Sequence, residues 1–155
     1  MADKFTEIEE AIWSALVANT EWKALIPAAN RIKLTKATDY DPYRDNIQDS
    51  DLPEVVIEPA GGQANLFATS DAHQIGQAFN VVITTGQIRT SKALNPIKTA
   101  TITALAAMSD TLGLSYVTKA RFTGFTETPD DAARNRGLQG WVVIFTIEVI
   151  MYWTK

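Results

Sequence analysis

His73 is the chain's one histidine, and there is no cysteine. Proton transfer at neutral pH would therefore fall to a single imidazole. Asp71 stands two residues away, on the same side of an extended strand. That spacing gives a solvated polar pair at a strand end more readily than a relay. Ser70, Ser91 and Ser109 are the serines available to a Ser-His-Asp site, and none stands in a nucleophile elbow. Without cysteine, disulfides, thiolate zinc sites and thiol nucleophiles are excluded.

The carboxylates offer little more. Glu9-Glu10 and Asp130-Asp131 are adjacent in sequence, so their side chains point apart and neither pair makes a general acid and base by itself. Asp39, Asp41 and Asp45 resemble a calcium loop only loosely, lacking its glycine and its closing bidentate Glu. Gly61-Gly62 is followed by no Gly-Lys-Ser/Thr, so it is not a phosphate loop. Arg89, Lys119 and Arg121 could touch phosphate, yet the sequence pI of about 4.9 is wrong for a nucleic-acid binder. No catalytic residue, metal site or cofactor is expected.

The elements that would carry these residues follow from periodicity. The stretch Trp141 to Trp153 is almost wholly β-branched, aromatic or aliphatic. A membrane-spanning helix needs about 20 apolar residues; this run is shorter and carries Glu148. It reads as a strand, apolar on both faces, belonging mid-sheet with both sides covered. Phe5, Ile8, Ile12 and Leu16 mark a helix over residues 5–19, with Thr6 and Glu9 at capping-box spacing. Glu21 to Ile26 adds at most a short helical turn before Pro27.

Strands are predicted at residues 31–34, 53–58 (stopped by Pro59), 73–85 and 116–126. In 73–85 the second face, Gln74, Gly76, Ala78, Asn80 and Val82, is small and half polar, as for a surface toward solvent or a neighbour. In 116–126, strict alternation puts Tyr116, Thr118, Ala120 and Phe122 on one face and Val117, Lys119, Arg121, Thr123 and Phe125 on the other. Asn95-Pro96 is a helix start, and Gly113 a suitable cap for a helix whose stripe runs from Leu94 to Leu112. The predicted fold is α+β: one domain over residues 1–155, a mostly antiparallel sheet with two main helices on one side, in the order αβββαββ.

Length and composition fit that reading. The chain has 155 residues, 46% hydrophobic and 21% charged, which suits a soluble globular domain. The charged N-terminal stretch lacks the apolar core of a signal peptide, so residence in a cytoplasm is the expectation. The net charge of −4 is uneven. Lys36–Ile75 carries Asp39, Asp41, Asp45, Asp49, Asp51, Glu54, Glu58 and Asp71 against Lys36 and Arg44. Phe79–Thr126 carries Arg89, Lys92, Lys98, Lys119 and Arg121 against Asp110. Either these are two solvated faces of a monomer, or complementary surfaces that meet in an assembly. Two charged loops, with Tyr40, Tyr43 and Arg44 in one and Arg134 and Arg136 in the other, join Lys119 and Arg121 as candidate partner contacts.

The order of elements and several stretches resemble the tail-terminator, or tail-completion, proteins of long-tailed bacteriophages, the minor tail protein U-like group. The resemblance covers nearly the whole chain. It lies in the opening helix Ile8–Leu16 with Trp22–Pro27, in Leu52–Ile57, in Gln77–Ile83, in the helix from Asn95 to Met108, and in the final hairpin ending Trp141–Trp153. It implies a structural virion protein at the tail end, assembled in the host cytoplasm into a homo-hexameric ring. The ring would cap the tail tube, end its polymerisation and join the head-tail connector. DNA would meet it only in passage, and no membrane is involved. A head-side connector or stopper, and a cellular α+β module binding a small ligand or a protein, are the alternatives.

Overall fold

In a computed structural model, residues 3–32, 49–64, 72–86, 91–129 and 140–154 are described. The apolar C-terminal stretch forms strand β5, Trp141–Thr154, and takes the central place its composition predicts. It lies between β3 (Ala72–Thr84) and β4 (Val117–Pro129), antiparallel to both. Beyond β3 come β2 (Glu54–Ala64), antiparallel, and the two-residue β1 (Arg31–Ile32), parallel. The sheet order is β1-β2-β3-β5-β4. Three helices complete the described fold: α1 (Lys4–Ala18), α2 (Thr20–Leu25) and α3 (Ser91–Ala106). The molecule thus has mixed helix and strand content around a five-stranded, mostly antiparallel sheet.

The predicted order αβββαββ needs correction, because α2 is a separate helix. Asn19 ends α1 and caps α2: its Oδ1 accepts from the Trp22 N–H at 2.8 Å. That turn drives Trp22 fully into the core. The cap of α1 is Asp3, which accepts from the Thr6 N–H at 2.9 Å; the Thr6 hydroxyl donates back to it at 2.7 Å. Glu9, expected in a capping box, is instead only 5% exposed on the inner side of α1.

The core joins the inner stripes of the helices to one face of the sheet. Ile8, Ile12, Trp13 and Leu16 of α1, Trp22 of α2, and Leu94, Ile97 and Leu105 of α3 meet Val55, Ile57, Phe79, Val81 and Ile83. Val143, Phe145, Ile147, Val149 and Met151 of β5 complete it. The other side of β5 is not covered as predicted: Val142, Ile144, Thr146 and Ile150 are half-buried, and Glu148 and Tyr152 are exposed. A strand apolar on both faces here buries only one of them fully.

Three further departures have local causes. β2 does not stop at Pro59 but bulges between Pro59 and Gly62 and continues to Ala64. Gly61 has a φ of 93°, and a side chain on Gly62 would begin 2.6 Å from the Gly76 carbonyl, so the bulge needs its glycines. Strand β4 has two bulges, at Val117/Lys119 and Phe122/Gly124. They break the alternation, so Val117, Ala120, Phe122 and Phe125 pair along the core face of β5 while Lys119 and Arg121 lie on the other. Helix α3 begins at Ser91, not Asn95, leaving Pro96 inside it and exposed, and it ends at Ala106, before Gly113.

Candidate interaction surface

The uncovered face of the sheet reads as rows across the strands. In one row Lys119 of β4 stands beside Ile150 of β5, then Gly76 of β3. In the next, Arg121 is followed by Glu148 and Ala78. In the third, Gly124, Thr146, Asn80 and Glu58 run from β4 to β2. Strand geometry fixes these neighbours, because side chains two residues apart share a face.

The face is dimpled where side chains run out. Gly76 and Ala78 on β3 and the Gly61–Gly62 bulge on β2 leave a depression of about 440 Å³, with Gln74, Glu148 and Ile150 on its walls. The Gln77 amide holds its floor, donating to the Gly61 carbonyl at 3.0 Å and to the Ala78 carbonyl at 2.7 Å. Thr146 donates to Asn80 at 3.1 Å, bridging β5 and β3. Arg121 pairs with Glu148 at 3.4 Å, but both side chains are more than half exposed, so the pair adds little to stability. Tyr152 is 47% exposed on this face.

At the end of the sheet next to the start of α1 lies an aromatic cluster. Trp153, 37% exposed, stacks on Phe5 at 5.8 Å between ring centres. The Lys4 ammonium sits 4.7 Å from the Trp153 ring and 5.1 Å from the Tyr116 ring, a cation–π arrangement. The Tyr116 hydroxyl donates to Glu7 at 2.6 Å; burial, then the Glu7 carboxylate, push its pKa up. His73 pairs in register with Trp153, is half-buried, and among the described residues makes no side-chain hydrogen bond or ion pair.

Of the sequence candidates, Lys119 and Arg121 come together on the open face. Tyr40, Tyr43, Arg44, Arg134 and Arg136 lie outside the described residues, as do Asp71 and Ser70. Among the described residues, no group of three or more His, Asp or Glu side chains is placed to hold a metal. No described helix is long and apolar enough to cross a membrane.

Sequence reasoning missed Glu148 and Tyr152 as surface groups; the small second face of β3 was the available signal. It also missed Glu9. Burial first, then the charges of Asp3 and Glu10, push that carboxyl up to about 7. No protein-family model matches the chain, and no curated protein matches it.

Proposed function

We propose that this chain is a structural ring subunit of the phage tail-terminator kind, which caps the tail tube, stops its growth and joins tail to head. The observation that carries the reading is the one-sided sheet: three helices cover one face, while the other presents Lys119, Arg121, Glu148 and Tyr152 around a depression. Such a face suits a protein that works by being covered in an assembly. The resemblance in element order and wording supplies the particular assembly. The segments with Tyr40, Tyr43 and Arg44 and with Arg134 and Arg136 are assigned contacts to neighbouring subunits, tube or connector. DNA passes through the ring without being held, consistent with an acidic chain.

The test is addition of purified protein to polymerising tail tubes. Tube ends should acquire a ring, seen by electron microscopy, and elongation should stop. Tubes that grow unchanged in the presence of excess protein would exclude the terminator role. A second reading, a small-ligand module, rests on the depression at Gly76. A metabolite retained in native mass spectrometry would favour it.

A further inference from the structure

We propose that neighbouring subunits of the ring, the reading on which this inference rests, meet head to tail along the sheet: the β4 edge of one copy receives the β1–β2 edge of the next. The two edges are stepped in opposite senses. On the outer side of β4 the turn after α3 covers the first part. There the Ala120 N–H donates to the Asp110 carbonyl at 2.6 Å, and the Val117 N–H to the Leu114 carbonyl at 3.2 Å. From Phe122 to Pro129, no described backbone group bonds that side. On β2 the order is reversed. The two residues of β1 stand beside Val55 and Val56, and from Ile57 onward the outer side is bare among the described residues.

Strand register makes the steps interlock. Read across β3 and β5, β1 stands level with Thr126 and Glu127, in the bare part of β4. The turn bonded to Ala120 stands level with Gly62, in the bare part of β2. Each projection therefore faces a recess when two copies stand side by side at one height. The directions agree as well. β4 runs antiparallel to β5, β5 to β3 and β3 to β2, while β1 is parallel to β2. β1 of the next copy thus runs antiparallel to β4 and extends the sheet there, as a strand added to an exposed edge does. The open faces of both copies then lie on one side.

Charge favours the same contact. Glu58 shares its row with Gly124, and Arg121 and Lys119 lie on that face just along β4. With β1 between them, β4 and the next copy's β2 stand two strand spacings apart, roughly 10 Å, a gap that long side chains from both sides bridge. Neither Lys119 nor Glu58 is in an ion pair among the described residues. On the other face, Glu127 stands level with Arg31 of the next copy, again opposite in sign. Like charges stay apart: the Glu148 side chains of two neighbours are about five strand spacings, roughly 24 Å, from each other. Exposed pairs contribute little affinity, so the interlocked edges hold the contact and the charges set its register. Because two different edges meet, every copy keeps one edge free for the next, and the series closes as a ring.

The test uses the full chain, in solution and at tube ends. It has no native cysteine. Thr123→Cys on β4 and Ala60→Cys on β2 place single thiols at exposed positions, next to Phe122 and Pro59 of one row. A bis-maleimide spanning about 10 Å should link a mixture of the two variants and neither variant alone. A chain carrying both thiols should give a cross-linked ladder that runs past two copies. Lys119→Glu should weaken ring assembly about tenfold at low salt, and less at high salt. Glu58→Lys should do the same. An equimolar mixture of these two should recover, because every seam between unlike copies again joins opposite signs. Circular dichroism checks that each variant is folded. A link formed by either thiol variant alone, no link in the mixture, a ladder that stops at two, or a charge mixture no better than its parts overturns the seam. Rings on tube ends without the mixed link would overturn it and keep the ring reading. Tubes that grow unchanged while the mixed link forms would remove the terminator role and keep the seam. A chain that stays monomeric at every concentration and at tube ends removes both.

Discussion

The two faces of β5 are written in nearly the same alphabet and have different fates. Val143, Phe145 and Ile147 are fully buried; Val142, Ile144 and Ile150 on the opposite side are half-buried. Neighbouring residues on one strand therefore differ by what lies above them, not by their own hydrophobicity. Over the first set sit α1, α2 and α3 with well-packed apolar stripes. The comparison teaches that hydrophobic content placed the strand in the sheet's middle, while the helices decided which face became core. A β-branched run on the other face serves pairing within the sheet and leaves apolar surface to be covered from outside.

The sharpest way to break this comparison is to truncate adjacent residues. Phe145→Ala should cost about 3–5 kcal/mol, as for a large ring removed from a packed core. Ile144→Ala, one position away, should cost less, about 1–2 kcal/mol, because its side chain is only partly covered. Urea denaturation of the two variants measures both. Equal losses would mean that the two faces are equally core.

The helical layer also acts on charge, and Glu9 reads that effect. Its carboxyl has an ordinary value of 4.5 and stands near 7 in the folded chain. Folding thus takes up a proton between those values, and stability falls as pH rises from about 4.5 to about 7, then levels. Glu9→Gln removes the slope. The variant should match the parent at pH 4 and exceed it at pH 8 by on the order of 2–3 kcal/mol. Denaturant midpoints at the two pH values are the measurement; parallel pH profiles for the two proteins would place Glu9 in water rather than under the helices.

A smaller effect is expected where the layer is tied to the sheet. The Tyr116 hydroxyl donates to Glu7 at 2.6 Å and lies 3.2 Å from the Lys4 carbonyl, fastening the first turn of α1 to the start of β4. Tyr116→Phe should lower stability by about 1 kcal/mol, with faster amide exchange confined to the N-terminal turn of α1. Loss spread over the whole helix would assign the fastening to packing instead.

These contrasts mark what the sequence could disclose. The centrality of β5 was legible because its composition suits only a strand with neighbours on both sides. The inner stripes of α1 and α3 were legible because 3.6-residue periodicity survives in both, with Ile8, Ile12 and Leu16, and Leu94, Ile97 and Leu105, buried. The faces of β4 were not, since each bulge shifts the alternation by one and no residue type announces it. Pro59 looked like a stop. It lies beyond Val55 and Val56, the only residues of β2 that β1 pairs, so there β2 is an edge strand in the described sheet, where proline is tolerated. The candidate surface was half legible. Lys119 and Arg121 were visible as charges, but their meeting Glu148, and sharing a face with Glu58, depended on the strand order β2-β3-β5-β4.

The smallest expected effect belongs to the residue with the most obvious chemical promise. His73 sits near the open end of β3, paired in register with Trp153, and no side-chain hydrogen bond from the described residues fixes or polarises its ring. A general base needs an orienting partner within hydrogen-bond reach, and a nucleophile beside it. The one described serine among the three candidates whose hydroxyl contacts are defined, Ser109, faces Thr111 at 3.3 Å in the turn after α3. His73→Ala should therefore shift stability by no more than about 0.5 kcal/mol, since the lost contacts are those of a half-buried ring at a strand end. Thermal unfolding should move by about 2 °C or less. Self-association and attachment to tube ends should be unchanged in the same preparations. A folded variant that loses either would show that the imbalance between the two faces misleads, and that the covered side carries function as well as core.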